Sequence, residues 1–294
     1  MSFSSGFDDI LTRDFPLGKA TTFGIGGPAE MLARPRSAAE LGRVLAAAAA
    51  EGIRVRMLGG GSNLLVADEG VKGLVVRLAG KTFASLAQAP GSLVAGAGVP
   101  LARLVREAGA AGLSGAESLA GIPGTVGGAL LMNAGGKYGC IGDLVEQVQA
   151  LDPAGAPLSL GRQECGFGYR TSGLRGLVVT GCRLALTADE PAAVARRARR
   201  VLAEKRRTQP LKMPSAGCVF KNPAGGEPAG KLIEELGFKG RRVGGAMVSE
   251  LHANYIVNAG GARCSEVLEL IDAIREAAAR ARGIELELEV EVWS

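Results

Sequence analysis

Two glycine-rich loops constrain this 294-residue chain more than any other feature. The first, residues 59–64 (GGGSNL), follows a short apolar segment that we predict to be a strand. The second, residues 121–129 (GIPGTVGGA), lies roughly one small subdomain further along the chain. Because glycine has no Cβ, each loop can present successive backbone N–H groups as a concave nest for an anion. A tight turn would explain either loop alone, but the pair predicts a site for one diphosphate.

Two other glycine motifs are poor nucleotide sites. Residues 24–29 (GIGGPA) fit the dinucleotide fingerprint, but Pro28 lies inside the motif and no apolar strand precedes it. Residues 225–232 (GGEPAGKL) approach a phosphate-binding P-loop, but no Ser or Thr follows Lys231 to ligate magnesium, and no strand precedes the segment. We therefore do not expect a Rossmann site, a kinase or an ATPase.

Hydrophobic periodicity and capping residues predict a mixture of helices and strands. A capping box at Ser37 and Glu40 begins a helix that runs to Gly52, and Pro191 begins a basic helix that ends before Pro210. Strands are predicted at residues 55–58, 73–78, 94–99, 144–151, 176–186 and 255–258, and further helices at 100–111 and 231–237.

The C-terminal third has its own pattern. A long helix is predicted from Ser265, as its N-cap, to Gly283. Residues 284–292 then alternate strictly between apolar residues and glutamates, which predicts a strand. With a boundary near residue 190, the chain is predicted to be an α+β protein with a first domain, 1–190, of two subdomains (1–78 and 79–190) and a second α+β domain, 191–294.

The formal net charge of +5 owes much to one basic run, residues 196–212. Apolar residues recur at helical spacing beneath its arginines, which favours a solvated helix face over a nucleic-acid arm. No aromatic or glycine-rich RNA-binding pattern accompanies the run. A small polyanionic ligand near it remains open.

The remaining bulk features predict a cytoplasmic protein that neither spans a membrane nor binds nucleic acid. No basic segment followed by an apolar stretch marks a secretory signal, and the longest uncharged stretch, 118–136, is too rich in glycine for a membrane helix. The five cysteines include no CxxC pair, so we expect reduced thiols and no metal site.

A series of further stretches matches one known family in order and spacing. They are residues 21–27 (TTFGIGG), 59–65 (GGGSNLL), 118–129 (SLAGIPGTVGGA), 133–135 (NAG), 167–170 (FGYR), 214–223 (PSAGCVFKNP), 229–233 (AGKLI), 252–258 (HANYIVN) and 286–290 (LELEV). By these stretches the chain resembles the UDP-N-acetylenolpyruvoylglucosamine reductase family along essentially its whole length, and specifically its shorter subtype, which lacks an extra tyrosine-bearing loop.

The resemblance implies a flavin-binding fold of the vanillyl-alcohol-oxidase type, with a C-terminal α+β domain that covers the substrate. FAD is expected to be bound non-covalently, because the single histidine, His252, lies in the last domain. The residues that the resemblance implies for FAD binding are Gly59, Gly60, Gly61, Ser62, Asn63, Leu64, Ser118, Gly121, Ile122, Pro123, Gly124, Thr125, Gly127, Gly128 and Ala129.

The implied reaction is the reduction of UDP-N-acetylglucosamine enolpyruvate to UDP-N-acetylmuramate for peptidoglycan precursor synthesis, with NADPH as co-substrate. NADPH reduces FAD and leaves, and hydride then passes to C3 of the enol ether. The protein must stabilise the developing negative charge and deliver a proton. Arg170 matches the family's catalytic arginine, whose planar fork suits a carboxylate. Glu289 matches its catalytic glutamate, on the resemblance alone.

Cys218 stands where the best-known family members carry a serine proton donor. A thiol with an ordinary pKa of about 8.5 stays mostly protonated at neutral pH and can therefore donate. A small buried core residue is the structural alternative, and Ser215 is an alternative donor. Tyr169, Lys221, Asn222 and His252 match positions that bind the nucleotide substrate in the family. The protein is expected to act as a monomer.

Two competing functions stay open at this point. A flavoenzyme of the same fold acting on a hydroxy acid or alcohol would keep the FAD loops but not the stretches at 214–223 and 252–258. A non-catalytic nucleotide-binding or nucleic-acid-binding protein would use the basic helix instead. Neither explains why Arg170, Cys218 and Glu289 all match.

Overall fold

Short strands and helices alternate through residues 3–78 and 80–294, which are the residues that the computed structural model describes, apart from the side chains of residues 4 and 5. The strands are β1 (Leu11–Pro16), β2 (Pro28–Ala33), β3 (Val55–Met57), β4 (Leu64–Val66), β5 (Val71–Val76), β6 (Leu86–Ala89), β7 (Ser92–Gly96), β8 (Leu113–Ser114), β9 (Gly135–Gly136), β10 (Gly139–Cys140), β11 (Val145–Leu151), β12 (Pro157–Gly161), β13 (Val178–Ala185), β14 (Thr187–Ala188), β15 (Arg242–Val243), β16 (Ala246–Val248), β17 (Ile256–Asn258) and β18 (Glu291–Trp293). The α-helices are α1 (Ala38–Ala50), α2 (Gly80–Phe83), α3 (Leu101–Ala110), α4 (Val126–Leu131), α5 (Pro191–Thr208), α6 (Ala229–Glu235) and α7 (Cys264–Arg282), and short 3₁₀ helices lie at Phe3–Gly6, Leu17–Ala20, Ala116–Leu119 and Ile141–Asp143.

The chain divides into two units, each with its own core. Unit 1 comprises the chain up to Arg13, Met31–Gly60 and Gly73–Glu204, and unit 2 comprises Asp14–Glu30, Gly61–Lys72 and Lys205–Ser294. The functional domains predicted at 1–190 and 191–294 stay a prediction.

Unit 1 contains an antiparallel sheet of order β12-β11-β13-β7-β6. Its apolar face packs with α3 and α4 into one buried cluster, and a second cluster lies under α1, where β3 pairs in parallel with β5. The strands predicted at 144–151, 176–186 and 94–99 are confirmed as β11, β13 and β7, with ends shifted by up to three residues. The first glycine loop begins just after β3 and the second leads into α4, so this unit carries residues 59–60 of the first loop and all of the second.

The capping box predicted for α1 is half right. The Ser37 hydroxyl accepts a hydrogen bond from the Glu40 amide at 3.2 Å, as an N-cap should. The Glu40 carboxylate, however, accepts from the Arg36 amide at 2.6 Å and from the Arg36 guanidinium at 2.7 Å. An ion pair one residue before the cap therefore replaces the reciprocal bond to Ser37.

The basic helix is confirmed as α5, and its pattern is that of a solvated face. Val194 and Val201 are buried beneath it, whereas most of the arginines are exposed. Arg197 is half-buried and donates to Glu117 at 2.8 Å and to Asp189 at 2.6 Å, both within unit 1. Among the described residues, none of the helices combines the length and the hydropathy that a membrane-spanning segment requires.

The strand predicted at residues 284–292 is wrong over most of its length, although the predicted alternation of buried and exposed side chains is present. Only Glu291–Trp293 form a strand, β18, which pairs in parallel with β4. Before it, Leu286 and Val290 are buried while Glu285 and Glu287 are exposed. The segment is extended but takes its hydrogen bonds from several partners in turn, including the Lys221 amide to the Glu287 carbonyl at 2.9 Å, so no continuous ladder forms.

Unit 2 is built around α7, which packs on the antiparallel sheet β15-β16-β17. Gly283 ends the helix in the left-handed conformation at φ 66°, as predicted. The predicted Ser265 cap is wrong, because Ser265 is the second helical residue. Asp68 takes its place: its carboxylate accepts from the Cys264 amide at 2.8 Å and from the Ser265 amide at 3.1 Å.

Replacing Asp68 with asparagine should lower the free energy of unfolding by up to about 1 kcal/mol, because asparagine keeps one acceptor but loses the negative charge at the N-terminus of α7. Burial opposes the charge of Asp68, but the hydrogen bonds from Cys264 and Ser265 outweigh it and lower the carboxyl pKa. A lowered pKa stabilises the fold above the pKa of the unfolded chain, and the contribution is lost as the pH falls through the folded value. Urea unfolding at pH 7 and below pH ~4 should therefore show a difference that shrinks in acid. Glu69→Gln, which removes a neighbouring exposed charge, is the control; an equal loss there would contradict the cap.

Candidate active site

The two glycine loops touch in unit 1. A Cβ added at Gly60 would lie 2.7 Å from the Gly124 Cα, and one at Gly59 would lie 3.0 Å from the Thr125 Oγ1. Gly124 itself has a φ of 106°, which a side chain rarely tolerates. The two loops predicted to share one site are therefore in backbone contact, and the diphosphate site itself stays a prediction.

A cavity in unit 1 opens beside this contact. Four of the predicted FAD-binding residues line it, and the remaining walls are mostly apolar, with one arginine. The lining residues are Met57, Leu58, Gly59, Arg77, Leu78, Ala97, Gly98, Thr125, Gly127, Gly128, Leu131, Leu177 and Val179. An apolar cavity bordered by glycine backbone suits a flat ring system that carries an anionic tail.

Not every amide of the second loop is available to an anion. The Val126 amide donates to the Val99 carbonyl at 2.9 Å, and the Gly127 amide donates to the Ala97 carbonyl at 2.8 Å. The Ser118 hydroxyl likewise donates to the Gly115 carbonyl at 2.9 Å. An anion nest in this loop therefore needs amides other than those of Val126 and Gly127.

The other predicted residues of the second loop fall into two groups. Gly121, at φ 76°, and Pro123 shape the turn before Gly124, and Ile122 packs against the larger core cluster of unit 1. Ala129 is buried within α4. These residues build the loop rather than face the cavity described above.

The end of the first loop, Gly61–Leu64, lies in unit 2. Gly61 has a φ of 62°, and a Cβ there would lie 2.2 Å from the Ala20 carbonyl oxygen. Ser62 is half-buried, and Leu64 pairs with Glu291 across β4 and β18. This part of the loop is thus fixed by close backbone packing.

Asn63 links the first loop to the predicted catalytic glutamate. Its side-chain amide donates to the Glu289 carbonyl at 2.9 Å, and its own carbonyl accepts from the Glu291 amide at 3.0 Å. These contacts occupy the Asn63 side chain within unit 2. Its predicted contact with FAD stays a prediction.

Cys218 and Glu289 lie on two segments that are joined at Val219, the residue after Cys218. The Val219 carbonyl accepts from the Glu289 amide at 2.8 Å and from the Val290 amide at 3.3 Å. Both Cys218 and Glu289 are half-buried. Two residues 71 positions apart in sequence therefore lie on adjoining extended segments, which the alternation of residues 284–292 could not indicate.

Asn254, which the sequence analysis did not single out, fixes the segment that carries Cys218. Its side chain accepts from the Phe220 amide at 2.9 Å and donates to the Phe220 carbonyl at 2.8 Å, while its backbone carbonyl accepts from the Val219 amide at 2.9 Å. Asn254 is only 3% exposed. Its presence in the matching stretch 252–258 was the available signal.

Thr22 is a second residue that the sequence analysis passed over. Its hydroxyl lies 2.7 Å from the Ser215 carbonyl and 3.3 Å from the Gly61 carbonyl, and its amide donates to Gly61 at 3.0 Å. Thr22 therefore joins the first glycine loop to the segment that precedes Cys218. Ser215, the alternative proton donor, lies on this segment in a β-bridge with Val257.

The predicted substrate residues of unit 2 are His252, Lys221 and Asn222. Burial lowers the pKa of His252, and its Nδ1 accepts from the Asn254 amide at 3.2 Å, so a neutral imidazole would carry its proton on Nε2. The Lys221 ammonium pairs with Glu287 at 3.1 Å. The Asn222 side chain accepts from the Ala229 amide at 3.0 Å, at the start of α6.

Tyr169 and Arg170 lie at the tip of a hairpin in unit 1. Tyr169 is 57% exposed, and the Arg170 guanidinium carbon lies 5.5 Å from the centre of the tyrosine ring. The Arg170 Nη1 donates to the Gly135 carbonyl at 2.9 Å. A backbone acceptor thus helps to orient the arginine.

Within the described part of the chain, no group of three or more His, Cys, Asp or Glu side chains is placed to hold a metal ion. The five cysteines are free thiols; Cys140 and Cys218 are half-buried, and the others are buried.

Comparisons with known proteins show the family of the chain. Residues 29–161 match a family model described as FAD binding domain, and residues 209–293 match the model of the C-terminal domain of UDP-N-acetylenolpyruvoylglucosamine reductase. The chain is 49% identical over 286 residues to the reductase of that name from Moorella thermoacetica, covering 97% of this chain and 93% of that protein. It is 44% identical over 285 residues to UDP-N-acetylenolpyruvoylglucosamine reductase 2 from Symbiobacterium thermophilum, covering 96% and 92%.

Solved structures give the same result for the fold. The crystal structure of UDP-N-acetylenolpyruvylglucosamine reductase from Thermus caldophilus superposes with a TM-score of 0.83 at 44% identity, covering 97% of this chain and 98% of that one. A grass-pollen glucose dehydrogenase shares the fold alone, with a TM-score of 0.51 at 16% identity over 65% of this chain and 45% of that one.

The predicted fold, a vanillyl-alcohol-oxidase-type FAD-binding domain followed by an α+β domain, is confirmed. The chain belongs to the UDP-N-acetylenolpyruvoylglucosamine reductase family.

Proposed function

We propose that this protein reduces UDP-N-acetylglucosamine enolpyruvate to UDP-N-acetylmuramate with NADPH, using non-covalent FAD, as a step of peptidoglycan precursor synthesis. The observation that carries the proposal is the joining of Cys218 to Glu289 through the Val219 carbonyl, inside the region that matches the reductase C-terminal domain. We also propose that residues 1–190 bind FAD, that residues 191–294 bind substrate, and that the protein is cytoplasmic and monomeric.

The residues of unit 1 fit FAD. Gly59 and Gly60 pack so closely against Gly124 and Thr125 that a Cβ would not fit, and the apolar cavity beside this backbone cradle can take a ring system. These loops would hold the cofactor through backbone contacts, which explains why glycine stands where it does. When bound, FAD supplies the transfer of hydride from NADPH to the enol ether.

Arg170 would bind the substrate carboxylate and stabilise the charge that develops on it. Its planar guanidinium offers two parallel donors to a carboxylate, and the Gly135 carbonyl restricts its orientation. A positive group already in place when charge develops needs no reorganisation during the reaction, which is the main source of such stabilisation. Tyr169, beside it, would contact the substrate.

Cys218 would deliver the proton to the carbon next to the one that receives hydride. Its protonated thiol is the donor, and Glu289 lies on the adjoining segment. The fixed positions of Val219 and Phe220, held by Asn254, keep the donor in place. Lys221, Asn222 and His252 would contact the nucleotide.

An anaerobic absorbance experiment tests the function. Purified protein should be yellow, lose its flavin absorbance on addition of NADPH, and regain it promptly on addition of UDP-N-acetylglucosamine enolpyruvate. Recovery only with a hydroxy-acid or alcohol oxidation product would support the competing flavoenzyme. Colourless protein that fails to bind added FAD would refute the proposal.

Replacing Gly60 with alanine should weaken FAD binding by at least about tenfold. The added Cβ would lie 2.7 Å from the Gly124 Cα, so the two loops must separate. Titration of the FAD-depleted protein with FAD measures the effect. Gly136→Ala is the matched control, because a Cβ at Gly136 meets no atom within 4 Å. Equal FAD affinity in both variants would contradict the proposed cradle.

A further inference from the structure

Asn133 is a buried asparagine of unit 1 that the proposed mechanism does not use. It belongs to the matching stretch 133–135, is 8% exposed and has a φ of 42°. Its side-chain oxygen accepts from the Gly142 amide at 3.0 Å, and its side-chain nitrogen donates to the Gly168 carbonyl at 2.9 Å. One carboxamide therefore ties together two backbone segments that are distant in sequence.

The second of these segments is the hairpin that carries Arg170. Gly168 and Thr171 exchange backbone hydrogen bonds of 3.0 and 3.4 Å, which leaves Tyr169 and Arg170 as the two tip residues. Arg170 has a φ of 55°, in the left-handed region that residues other than glycine, asparagine and aspartate seldom adopt. Such a conformation persists only where the surroundings enforce it.

Three hydrogen bonds connect the hairpin to residues 131–135 at every second position. Besides the Asn133 bond to Gly168, the Arg170 Nη1 donates to the Gly135 carbonyl at 2.9 Å and the Ser172 hydroxyl donates to the Leu131 carbonyl at 2.9 Å. Asn133 is the central member of this series. Its bond fixes the base of the hairpin, whereas the Gly135 bond fixes the guanidinium.

Close packing prevents the Asn133 carboxamide from shifting. A Cβ added at Gly142 would lie 2.7 Å from the Asn133 Oδ1 and 2.7 Å from the Phe167 ring. Phe167 directly precedes the hairpin. Gly142, Asn133 and the start of the hairpin thus form one contiguous contact.

We infer that Asn133 is a positioning residue for the reduction step, because it holds the hairpin that aims Arg170 at the substrate carboxylate. The inference rests on the proposed function, since it requires Arg170 to meet that carboxylate. Asn133 touches neither substrate nor cofactor in this assignment and acts only through the Gly168 carbonyl.

The test variant is Asn133→Asp, which keeps the size of the side chain and tolerates the left-handed backbone. It retains an acceptor for the Gly142 amide but sets a carboxylate oxygen against the Gly168 carbonyl. We expect reoxidation of the NADPH-reduced holoenzyme by UDP-N-acetylglucosamine enolpyruvate to slow on the order of 10- to 100-fold, as for a small misplacement of a catalytic group. Calorimetry should also show weaker binding of that substrate to the oxidised enzyme, while reduction by NADPH and FAD affinity stay unchanged.

A double-mutant cycle separates positioning from general support of the fold. In the Arg170→Ala background, Asn133→Asp should cause little further loss, because the group it positions is already absent. Gln149→Glu, another exchange of amide for acid in unit 1, is the matched control and should behave as wild type. Equal losses in both backgrounds, or parallel loss of NADPH reduction and FAD binding, would overturn the inference.

Two further variants keep the test decisive if Asn133→Asp does not fold. Asn133→Gly accepts the φ of 42° and removes both side-chain hydrogen bonds. Gly142→Ala leaves Asn133 and Arg170 intact but crowds both Asn133 and Phe167. Both should slow reoxidation and spare NADPH reduction.

The failure of the proposed function and the failure of the inference give different results. Wild-type protein that this substrate fails to reoxidise would refute the proposed function and, with it, the inference. Normal reoxidation of the wild type, together with unaffected variants, would refute the inference alone.

Discussion

Cys218→Ala should leave reduction by NADPH intact and slow the subsequent reoxidation by UDP-N-acetylglucosamine enolpyruvate by about 10²- to 10⁴-fold, the usual contribution of a positioned proton donor. Alanine removes the only ionisable atom of residue 218 but disturbs its surroundings little, because Val219 and Phe220 remain fixed by Asn254. Anaerobic stopped-flow absorbance resolves the two half-reactions. The variant should therefore accumulate in the reduced state.

Two controls make this result specific. Cys218→Ser restores a hydroxyl donor and should regain much of the lost rate. Cys140→Ala removes the other half-buried thiol, whose pKa is raised by burial and by Asp143, and should behave as wild type. Normal turnover of Cys218→Ala would show that Cys218 is not the donor and would direct attention to Ser215.

Arg170→Lys should slow reoxidation on the order of 10²- to 10³-fold, comparable to the loss of one preorganised donor in other enzymes. Lysine keeps the positive charge but presents a point charge instead of a planar fork, so it loses the paired contact with a carboxylate. The apparent affinity for the enolpyruvyl substrate should fall as well. Reduction by NADPH, which does not involve that carboxylate, should be unchanged.

Arg175→Lys provides the comparison for Arg170→Lys, because Arg175 is an exposed arginine a few residues further along the chain. It should reduce and reoxidise at wild-type rates. Unchanged reoxidation in Arg170→Lys would mean that charge alone suffices at this position. Equal losses in both half-reactions would mean that the substitution damages the FAD-binding unit instead.

Local sequence signals predicted those features whose cause is itself local. The turn at Gly283 requires a residue that tolerates a positive φ, and only glycine does so at low cost. The buried stripe of Val194 and Val201 repeats with the helical period, so α5 could be recognised without its neighbours. The motif matches identified Arg170, Cys218 and Glu289 as candidates in the same way, residue by residue.

Contacts between distant segments explain what the sequence did not predict. Asp68 caps α7 from 196 positions away, and the segment before β18 has a regular alternation but no continuous partner strand. Neither fact leaves a trace in the local pattern. Capping preferences within a few residues therefore favoured Ser265 as the N-cap of α7, and the alternation of residues 284–292 predicted a strand that is too long.

The sequence by itself determined the class of fold and the places where the backbone must lack a Cβ, and it supplied the candidates for the chemically active side chains, which stay a prediction. The tertiary structure alone decided which side chains orient them. Asn133, Asn254 and Asn63 are polar residues whose hydrogen-bond partners lie 35, 34 and 226 positions away. A carboxamide binds whichever backbone group the fold places beside it, so its partner is known only once the chain is folded.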